Sequence, residues 1–381
     1  MRPIPAFGLV LPARVRFGRG AALDAVPEIA RLGTRIALVH GQSTARAAPL
    51  ISALAAAGAT VLPLSCPAEP TLDMLEAALA EARTHRPDSV VAIGGGAALD
   101  LGKALAALLP ADRPPLDHLE VVGQGLPLSA DPLPFVAIPT TAGTGSEATR
   151  NAVIGVPAHR RKVSLRDDRL VSRLAVIDPA LTDGAPREVT LASGLDALTQ
   201  VIEPYLSARA TPFTNALCHD AIPRGLAALA ALGAGENPAA RDTMAYVAHV
   251  SGIALTNAGL GAVHGLAGVL GGETGEAHGV ICGRLLPHVL MANRAACIGD
   301  ALRTDRFGHI EHWCRETLGC GIAGMEGWAA ARGLAPPDQR LAPEALADIA
   351  TRSAASSSMK ANPVALSAAT LAGVLSDAGW G

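Results

Sequence analysis

The sequence is poor in lysine, in aromatic residues and in charge. Of its 31 lysine and arginine residues only three are lysine, aromatic residues make up 3% of the chain and charged residues 17%. A formal net charge of −3 provides no basic surface for nucleic acid or for an anionic membrane. Half of the residues are hydrophobic, which excludes intrinsic disorder for a chain of 381 residues.

Long apolar runs and paired cysteines are also missing. The longest apolar candidate, residues 91–109, is interrupted by three consecutive glycines, Asp100 and Lys103, so it is not a membrane span. The six cysteines are dispersed without a CxxC pair, which is typical of reduced thiols and not of a disulfide framework or thiolate zinc site. We therefore expect a cytoplasmic protein with neither a membrane segment nor a nucleic-acid partner.

Short apolar runs alternate with helical patterns in the first half of the chain. The patterns predict strands at residues 35–40, 60–64, 89–93, 135–138 and 174–177, with helices over 45–57 and 71–84. Such alternation implies right-handed crossovers and a parallel, doubly wound sheet. After about residue 183 the predicted elements are helices, at 193–208, 216–232, 241–258 and 280–293. We predict a Rossmann-like α/β domain over residues 1–184 and an all-helical domain over residues 185–381.

Three consecutive glycines, Gly94, Gly95 and Gly96, stand between a predicted buried strand and a helix. Glycines allow the backbone to approach a ligand closely, and the N–H groups at a helix start attract anions, so this loop suits a pyrophosphate. A tight turn without a ligand is the alternative interpretation. The following helix carries Lys103, which would either add positive charge near a phosphate or lie in solvent.

A second polar cluster, PTTAGTGSEAT at residues 139–149, follows the strand predicted at 135–138. Its hydroxyl groups and glycines stand at the carboxyl end of that strand, where ligands bind in doubly wound sheets. A capped helix start is the structural alternative. Two such loops at one edge of a sheet favour a dinucleotide more strongly than either loop alone.

Five motifs follow one another along the chain: GGGAALDLGK, AIPTTAGTGSEAT, SGLDALTQVIEPYLS, GAVHGLAGVLGGETGEAHG and LLPHVLMAN. Together they resemble the iron-containing (group III) alcohol dehydrogenase family over nearly the whole chain. The resemblance implies a dehydroquinate synthase-like architecture, with a Rossmann-like NAD(P) domain, a helical domain, and a divalent metal in the cleft between them. It also implies a homodimer that interconverts a small alcohol and an aldehyde or ketone by hydride transfer.

The resemblance assigns cofactor binding to residues of both polar loops and beyond. These are Gly94, Gly95, Gly96, Asp100, Thr140, Thr141, Thr144, Thr149 and Lys162. Gly41, Gln42 and Ser43 follow the first predicted strand. The resemblance implies that Gly41 stands where the NAD-preferring members of this family have an aspartate. Because no carboxylate repels a 2′-phosphate there, the sequence favours NADP over NAD.

The metal ligands implied by the resemblance are Asp196, Gln200, His264 and His278. Asp196 and Gln200 lie four residues apart on a predicted helix face, and the two histidines come from later segments separated by a Gly-Gly turn. This set suits Fe²⁺ or Zn²⁺, which would polarise the carbonyl oxygen. The family has a histidine where Gln200 stands and another, implicated in proton relay, at Gly268. Weak metal binding, a changed metal, and metal-free catalysis by His264 or His278 therefore stay open.

Three alternatives to a metal-dependent dehydrogenase follow from the same resemblance. In a metal-independent enzyme like the maleylacetate reductases, Arg150 and Asn151 would bind an anionic substrate, unless Arg150 is a surface residue. Dehydroquinate synthases share the architecture but need lysines in the helical domain, where this sequence has only Lys360. The two missing histidines also allow a non-catalytic descendant that binds nucleotide alone.

Overall fold

The computed structural model describes residue 4, residues 6–159 and residues 161–381, which divide into two compact units. The α/β unit comprises residues 10–141 and 145–183. The helical unit comprises residues 142–144 and 184–381, together with the described residues up to Leu9. The predicted fold class, an α/β domain followed by a helical domain, is confirmed.

The α/β unit is built on a parallel sheet with the strand order β1-β8-β5-β4-β2-β3. Its strands are β1 (Val15–Phe17), β2 (Arg35–His40), β3 (Thr60–Ser65), β4 (Ser89–Gly94), β5 (Phe135–Pro139) and β8 (Leu174–Ile177). An antiparallel pair is formed by β6 (Asn151–Val156) and β7 (Arg161–Arg166). The helices are α1 (Ala21–Asp24), α2 (Val26–Ala30), α3 (Ala48–Ala56), α4 (Leu72–His85), α5 (Gly96–Leu108) and α6 (Pro115–His118).

The sheet of the α/β unit has a hydrophobic core on each face. One core joins the sheet to α4 and α5, and the other joins it to α1, α2 and α3. The central strand β4 is buried along its whole length, as expected for a parallel strand covered on both faces. The five strands predicted from apolar runs are confirmed, whereas the short exposed strand β1 and the β6–β7 pair were not predicted.

The helical unit surrounds a single apolar core. Its helices are α7 (Arg187–Leu206), α8 (Pro212–Ala234), α9 (Pro238–Ala258), α10 (Ala262–Thr274), α11 (His278–Ala296), α12 (Ala301–Leu318), α13 (Met325–Ala330), α14 (Pro343–Ala354) and α15 (Ala368–Leu375). The predicted Gly-Gly turn is wrong, because Gly271 and Gly272 lie inside α10. Burial of Leu266 and Leu270 holds this helix together despite its glycines, and it ends at Gly275 with a φ of 75°.

Two expectations about the whole chain can be compared with the structure. The six cysteines are all free, as predicted. Among the described residues, no single helix has the length and apolar character that a membrane crossing requires. The consecutive helices α9 and α10 reach this length and apolar character only when they are taken together, and the chain bends by 101° at their junction.

Candidate metal centre and cofactor loops

Helix α7 carries three buried polar residues on one face: Asp196, Gln200 and Glu203 are 3%, 3% and 5% exposed. Their spacing of four and three residues places them on the same side of the helix. A buried carboxylate is costly unless a charged, hydrogen-bonding or metal partner compensates it. The partners of these three side chains come from α9, α10 and α11 of the same unit.

Glu203 fixes the orientation of His264, which lies in the first turn of α10. Glu203 Oε2 is 2.7 Å from His264 Nδ1, and Glu203 Oε1 accepts a hydrogen bond of 2.7 Å from the backbone N–H of Val263. A carboxylate at Nδ1 holds the ring proton on that nitrogen and leaves the Nε2 lone pair for another partner. His264 therefore has the environment of a metal-ligating histidine.

His278 and Cys282 lie one turn apart at the start of α11. Cys282 Sγ is 3.5 Å from His278 Nε2 and 3.9 Å from His264 Nε2. The Cys282 side chain is fully buried, whereas the His278 side chain is 40% exposed. Solvent, and any small molecule, therefore reaches this group of side chains at His278.

One ligand atom each from Asp196, His264, His278 and Cys282 lies within 4.8 Å of the other three. Asp196 Oδ1 is 3.3 Å from His264 Nε2 and 3.7 Å from His278 Nε2. This buried oxygen has no hydrogen-bond partner among the described residues. A buried carboxylate oxygen that has no hydrogen bond and faces imidazole nitrogens and a thiol fits a divalent metal such as Zn²⁺ or Fe²⁺.

The charges of these groups perturb one another strongly. Burial opposes ionisation of Asp196, but the His264 and His278 imidazoles outweigh it and lower the pKa of the carboxyl to about 2. Cys282 and then Asp196 raise the pKa of His278 to about 9, against the effect of burial. Burial also opposes the charged form of His264, yet Cys282 and Glu203 raise its pKa well above the usual value. A metal ion that binds here would displace protons from the imidazole rings, so metal binding would be accompanied by proton release.

Gln200 lies beside Asp196 and shares its environment. Its Oε1 accepts a hydrogen bond of 3.1 Å from the hydroxyl of Ser251 on α9, and its side chain is one of the groups that lower the pKa of the Asp196 carboxyl. The Ser251 contact holds the Gln200 amide beside Asp196.

In the α/β unit, the glycine loop connects β4 to the N-terminus of α5. A Cβ at Gly94 would stand 2.6 Å from the Ala98 side chain, and one at Gly95 would stand 3.5 Å from the side chain of Thr141. No side chain among the described residues caps the N-terminus of α5. Close backbone packing and an uncapped helix start are the features expected of a pyrophosphate-binding loop.

Lys103 on α5 is buried, with 1% of its surface exposed. Its Nζ donates hydrogen bonds to the Ser146 carbonyl (2.8 Å), the Thr149 hydroxyl (2.6 Å) and the Asn151 carbonyl (2.6 Å). The alternative in which this lysine lies in solvent is therefore wrong. Its ammonium group instead ties α5 to the second polar loop and to the start of β6.

Asp100 lies one turn before Lys103 and faces the same segments. Its Oδ1 accepts a hydrogen bond of 2.6 Å from the Ser146 hydroxyl, and its Oδ2 accepts one of 3.0 Å from the Val153 backbone N–H. An ion pair of 3.3 Å joins it to Lys103. Asp100 thus joins α5 to the second polar loop and to β6 within the α/β unit.

The threonines of the second loop have different environments. The backbone N–H of Thr140 donates to the Gly94 carbonyl at 2.9 Å, which joins the two predicted cofactor loops. Thr141 is half-buried beside Gly95, and the Thr149 hydroxyl is the one that Lys103 contacts. Thr144 belongs to the segment 142–144 that is part of the helical unit.

The segment after β2 is open where a 2′-phosphate would bind. A Cβ at Gly41 would meet no atom within 4 Å, and Gln42 and Ser43 are exposed. The Ser43 hydroxyl accepts a hydrogen bond of 3.3 Å from the Ala45 backbone N–H. The structure thus leaves space for either a phosphate or a larger side chain at this strand end.

The remaining predicted binding residues lie on or before the β6–β7 pair. Lys162 on β7 pairs with Glu69, and its side chain is 39% exposed. Arg150 pairs with Asp168 at 2.5 Å, and a substrate carboxylate would have to displace this partner. Asn151 is half-buried and uses its carbonyl oxygen for Lys103.

Comparison with known proteins gives consistent matches to one family. The profile of "Iron-containing alcohol dehydrogenase" matches residues 12–179, and that of "Fe-containing alcohol dehydrogenase family, C-terminal" matches residues 190–324. The chain is 32% identical over 333 residues to the NAD-dependent methanol dehydrogenase of Bacillus methanolicus, covering 84% of this chain and 82% of the relative. The chain belongs to the iron-containing alcohol dehydrogenase family.

Two further comparisons support this assignment. The chain is 39% identical over 249 residues to the probable alcohol dehydrogenase EutG of Escherichia coli, which covers 63% of this chain and 62% of that relative's length. Its fold matches an alcohol dehydrogenase from Oenococcus oeni with a TM-score of 0.88 at 25% identity, over 98% of this chain and 100% of the other. The predicted family and the predicted class of alcohol dehydrogenase are thereby confirmed.

Of the four metal ligands predicted for this alcohol dehydrogenase, the structure brings Asp196, His264 and His278 together. It adds Cys282 to this group of side chains. All six cysteines were predicted to be ordinary free thiols, so Cys282 was missed. Its signal was the spacing of four residues from His278, which places both side chains on one helix face. Glu203, which follows Asp196 by seven residues on α7, was expected from the sequence to support the site, and it contacts His264.

Proposed function

We propose that this chain interconverts an alcohol and an aldehyde or ketone with NAD(P)(H), using a divalent metal held by Asp196, His264 and His278. The observation that supports this most directly is Asp196 Oδ1, a buried oxygen that faces both imidazole Nε2 atoms and has no hydrogen-bond partner among the described residues. When bound, the nicotinamide supplies hydride chemistry, and the metal supplies a Lewis acid for the carbonyl oxygen.

The residues of the chain hold and orient these groups. Glu203 keeps the proton of His264 on Nδ1, so that Nε2 faces the metal position. Gln200 lies on the next turn of α7, where Ser251 holds its amide oxygen and where its side chain favours the charged form of Asp196. His278 is the ligand residue with an exposed side chain, so the substrate oxygen approaches on its side.

For the cofactor we propose NADP in preference to NAD. Gly41 leaves open the position from which a carboxylate would repel a 2′-phosphate, and the exposed Gln42 and Ser43 supply donors. Gly94, Gly95 and Gly96 would bind the pyrophosphate, with Thr140, Thr141 and Thr144 along the cofactor and Lys162 at the ribose. In this proposal Asp100 and Thr149 support the loops through their contacts with Ser146 and Lys103.

A cytoplasmic homodimer is the assembly we propose. Six free cysteines support a reducing compartment. The edge strand β1 exposes Val15 and Phe17, at 45% and 49% of their surface, and an exposed apolar edge strand favours pairing with another chain. Light scattering of the purified protein measures the mass, and a monomer at micromolar concentration would contradict the dimer.

The proposed activity is tested by measuring the oxidation of NADPH and NADH with a panel of uncharged and anionic aldehydes and ketones, before and after metal chelation. We expect turnover of uncharged carbonyl compounds that chelation abolishes and added metal restores. Turnover of anionic substrates alone, unchanged by chelation, would instead favour the metal-independent alternative with Arg150 and a histidine donor. Tight nucleotide binding without any turnover would favour the non-catalytic alternative.

A further inference from the structure

The sulfur of Cys282 has an environment unlike that of a cysteine packed in an apolar core. It is fully buried and lies 3.5 Å from His278 Nε2 and 3.9 Å from His264 Nε2. The other buried cysteines of the helical unit lack such neighbours among their described contacts; Cys314, for example, contacts the sulfur of Met325 at 3.8 Å. A thiol aimed at two imidazole nitrogens that also face a buried carboxylate belongs to a polar cluster.

Resting on the metal site of the proposed function, we infer that Cys282 is the fourth ligand of this metal, in place of Gln200. The Asp196, His264, His278 and Cys282 set would bind Zn²⁺ through one oxygen, two nitrogens and one thiolate sulfur. Gln200 then acts as a positioning residue that holds Asp196.

Four of the six distances between the ligand atoms are close to those of a tetrahedron around one ion, and all six are within 4.8 Å. Zn²⁺ bonds of about 2.0–2.2 Å to oxygen and nitrogen and about 2.3 Å to sulfur separate tetrahedral ligands by about 3.3–3.6 Å. The two oxygen–nitrogen separations from Asp196 are 3.3 and 3.7 Å. The two sulfur–nitrogen separations from Cys282 are 3.5 and 3.9 Å. A small contraction around the ion would complete the geometry.

Charge and ligand chemistry favour the same ion. Asp196 and a Cys282 thiolate carry two negative charges, which equal the charge of Zn²⁺, so the ion and its four ligands together are neutral. Thiolate with imidazole in a tetrahedral arrangement is typical of zinc sites. The amide oxygen of Gln200 already accepts a hydrogen bond from the Ser251 hydroxyl.

The test is the absorption spectrum of the full-length protein loaded with Co²⁺, because a thiolate ligand gives a sulfur-to-cobalt charge-transfer band in the near ultraviolet. We expect this band in the original protein and its complete loss in Cys282→Ser. The matched control is Cys218→Ser, which removes another fully buried cysteine of the helical unit and should keep the band.

Metal affinity provides a second readout. Loss of an outer hydrogen-bond partner already costs about 10–100-fold in metal affinity, so loss of the Cys282 ligand should weaken Zn²⁺ binding by at least about 100-fold. Gln200→Ala should cost less than Cys282→Ser, because it removes an orienting group. Cys282→Asp offers a ligand without sulfur, and it should bind Co²⁺ without the band if the serine variant does not fold.

The inference is overturned if the original protein binds no Co²⁺, if it binds Co²⁺ without the band, or if the band survives in Cys282→Ser. These outcomes are independent of catalysis. Turnover without the band would leave the proposed function intact and remove Cys282 from the ligand set. A band without turnover would support the ligand set and contradict the proposed function.

Discussion

Lys103→Met tests whether the buried ammonium holds the cofactor loops together. The substitution keeps the length of the side chain and removes its charge, which leaves the acceptors on Ser146, Thr149 and Asn151 without their donor. Asp100 loses an ion pair of 3.3 Å but keeps the Ser146 and Val153 donors. The affected groups connect α5 to both the second polar loop and β6.

The expected cost follows from the burial of Lys103. Its side chain is fully buried and the Asp100 side chain is 16% exposed, so water screens this pair weakly. Removal of one partner from a buried ion pair costs about 3–5 kcal/mol. The Tm of a domain of this size falls by about 2–4 °C for each kcal/mol lost from its free energy of unfolding. The α/β unit should therefore melt roughly 6–20 °C lower.

Calorimetry and urea unfolding measure this loss, and Lys162→Met is the matched control. Lys162 is 39% exposed and has the 61% exposed Glu69 as its ion-pair partner. An exposed ion pair of this kind contributes about 0–1 kcal/mol to the free energy of unfolding. If Lys103→Met cost no more than Lys162→Met, the buried ammonium would not be what holds these loops, and the reasoning would be refuted.

Three further substitutions test the binding sites. Gly41→Asp introduces a carboxylate into open space, so it should lower the ratio of NADPH to NADH kcat/KM by about 10–100-fold, and an unchanged ratio would contradict the assigned strand end. Glu203→Gln should weaken Zn²⁺ binding by about 10–100-fold in calorimetric titration, because His264 loses its carboxylate partner; equal affinity would show that this contact does not tune the metal site. Lys162→Arg should raise the KM for the nucleotide, because a guanidinium does not replace a compact ammonium at a ribose, and a constant KM would remove Lys162 from the cofactor site.

The strands were predictable where the chain is buried on both faces of the sheet. The predicted bounds of β2 and β8 are those of the structure, because a continuous apolar run between polar or glycine residues marks a covered parallel strand. The strand β1 is three residues long and exposed throughout, so it has no such signal. The strand β6 alternates buried and half-buried positions, and its pairing with β7 became evident only in the structure.

Burial of polar side chains was much harder to predict. Lys103 lies on a predicted amphipathic helix that follows the glycine loop. Nothing in the local sequence distinguishes a buried ammonium with all its hydrogen bonds made from an ammonium in solvent. Its partners come from residues 146–151, more than 40 positions further along the chain. The glycines at 271 and 272 were misinterpreted for a related reason, since tertiary packing of α10 outweighs their low helix propensity.

At the candidate metal centre, the sequence identifies most of the residues that would take part in the chemistry. It does not show which side chains come close enough together to bind one ion. Asp196, His264 and His278 are recognisable one at a time from their motifs, and so is the absence of a histidine at Gln200. In the proposal that Cys282 is the fourth ligand, compensation for that absence depends on the rotation of α11 against α7, which places Cys282 on the side that faces both imidazoles. A single helical turn separates Cys282 from His278, whereas α7 and α11 are some 80 positions apart in sequence. Under this proposal the fourth ligand position has moved from one helix to another without a change of fold, because a ligand set is constrained by distances to one point and not by the element that supplies each atom.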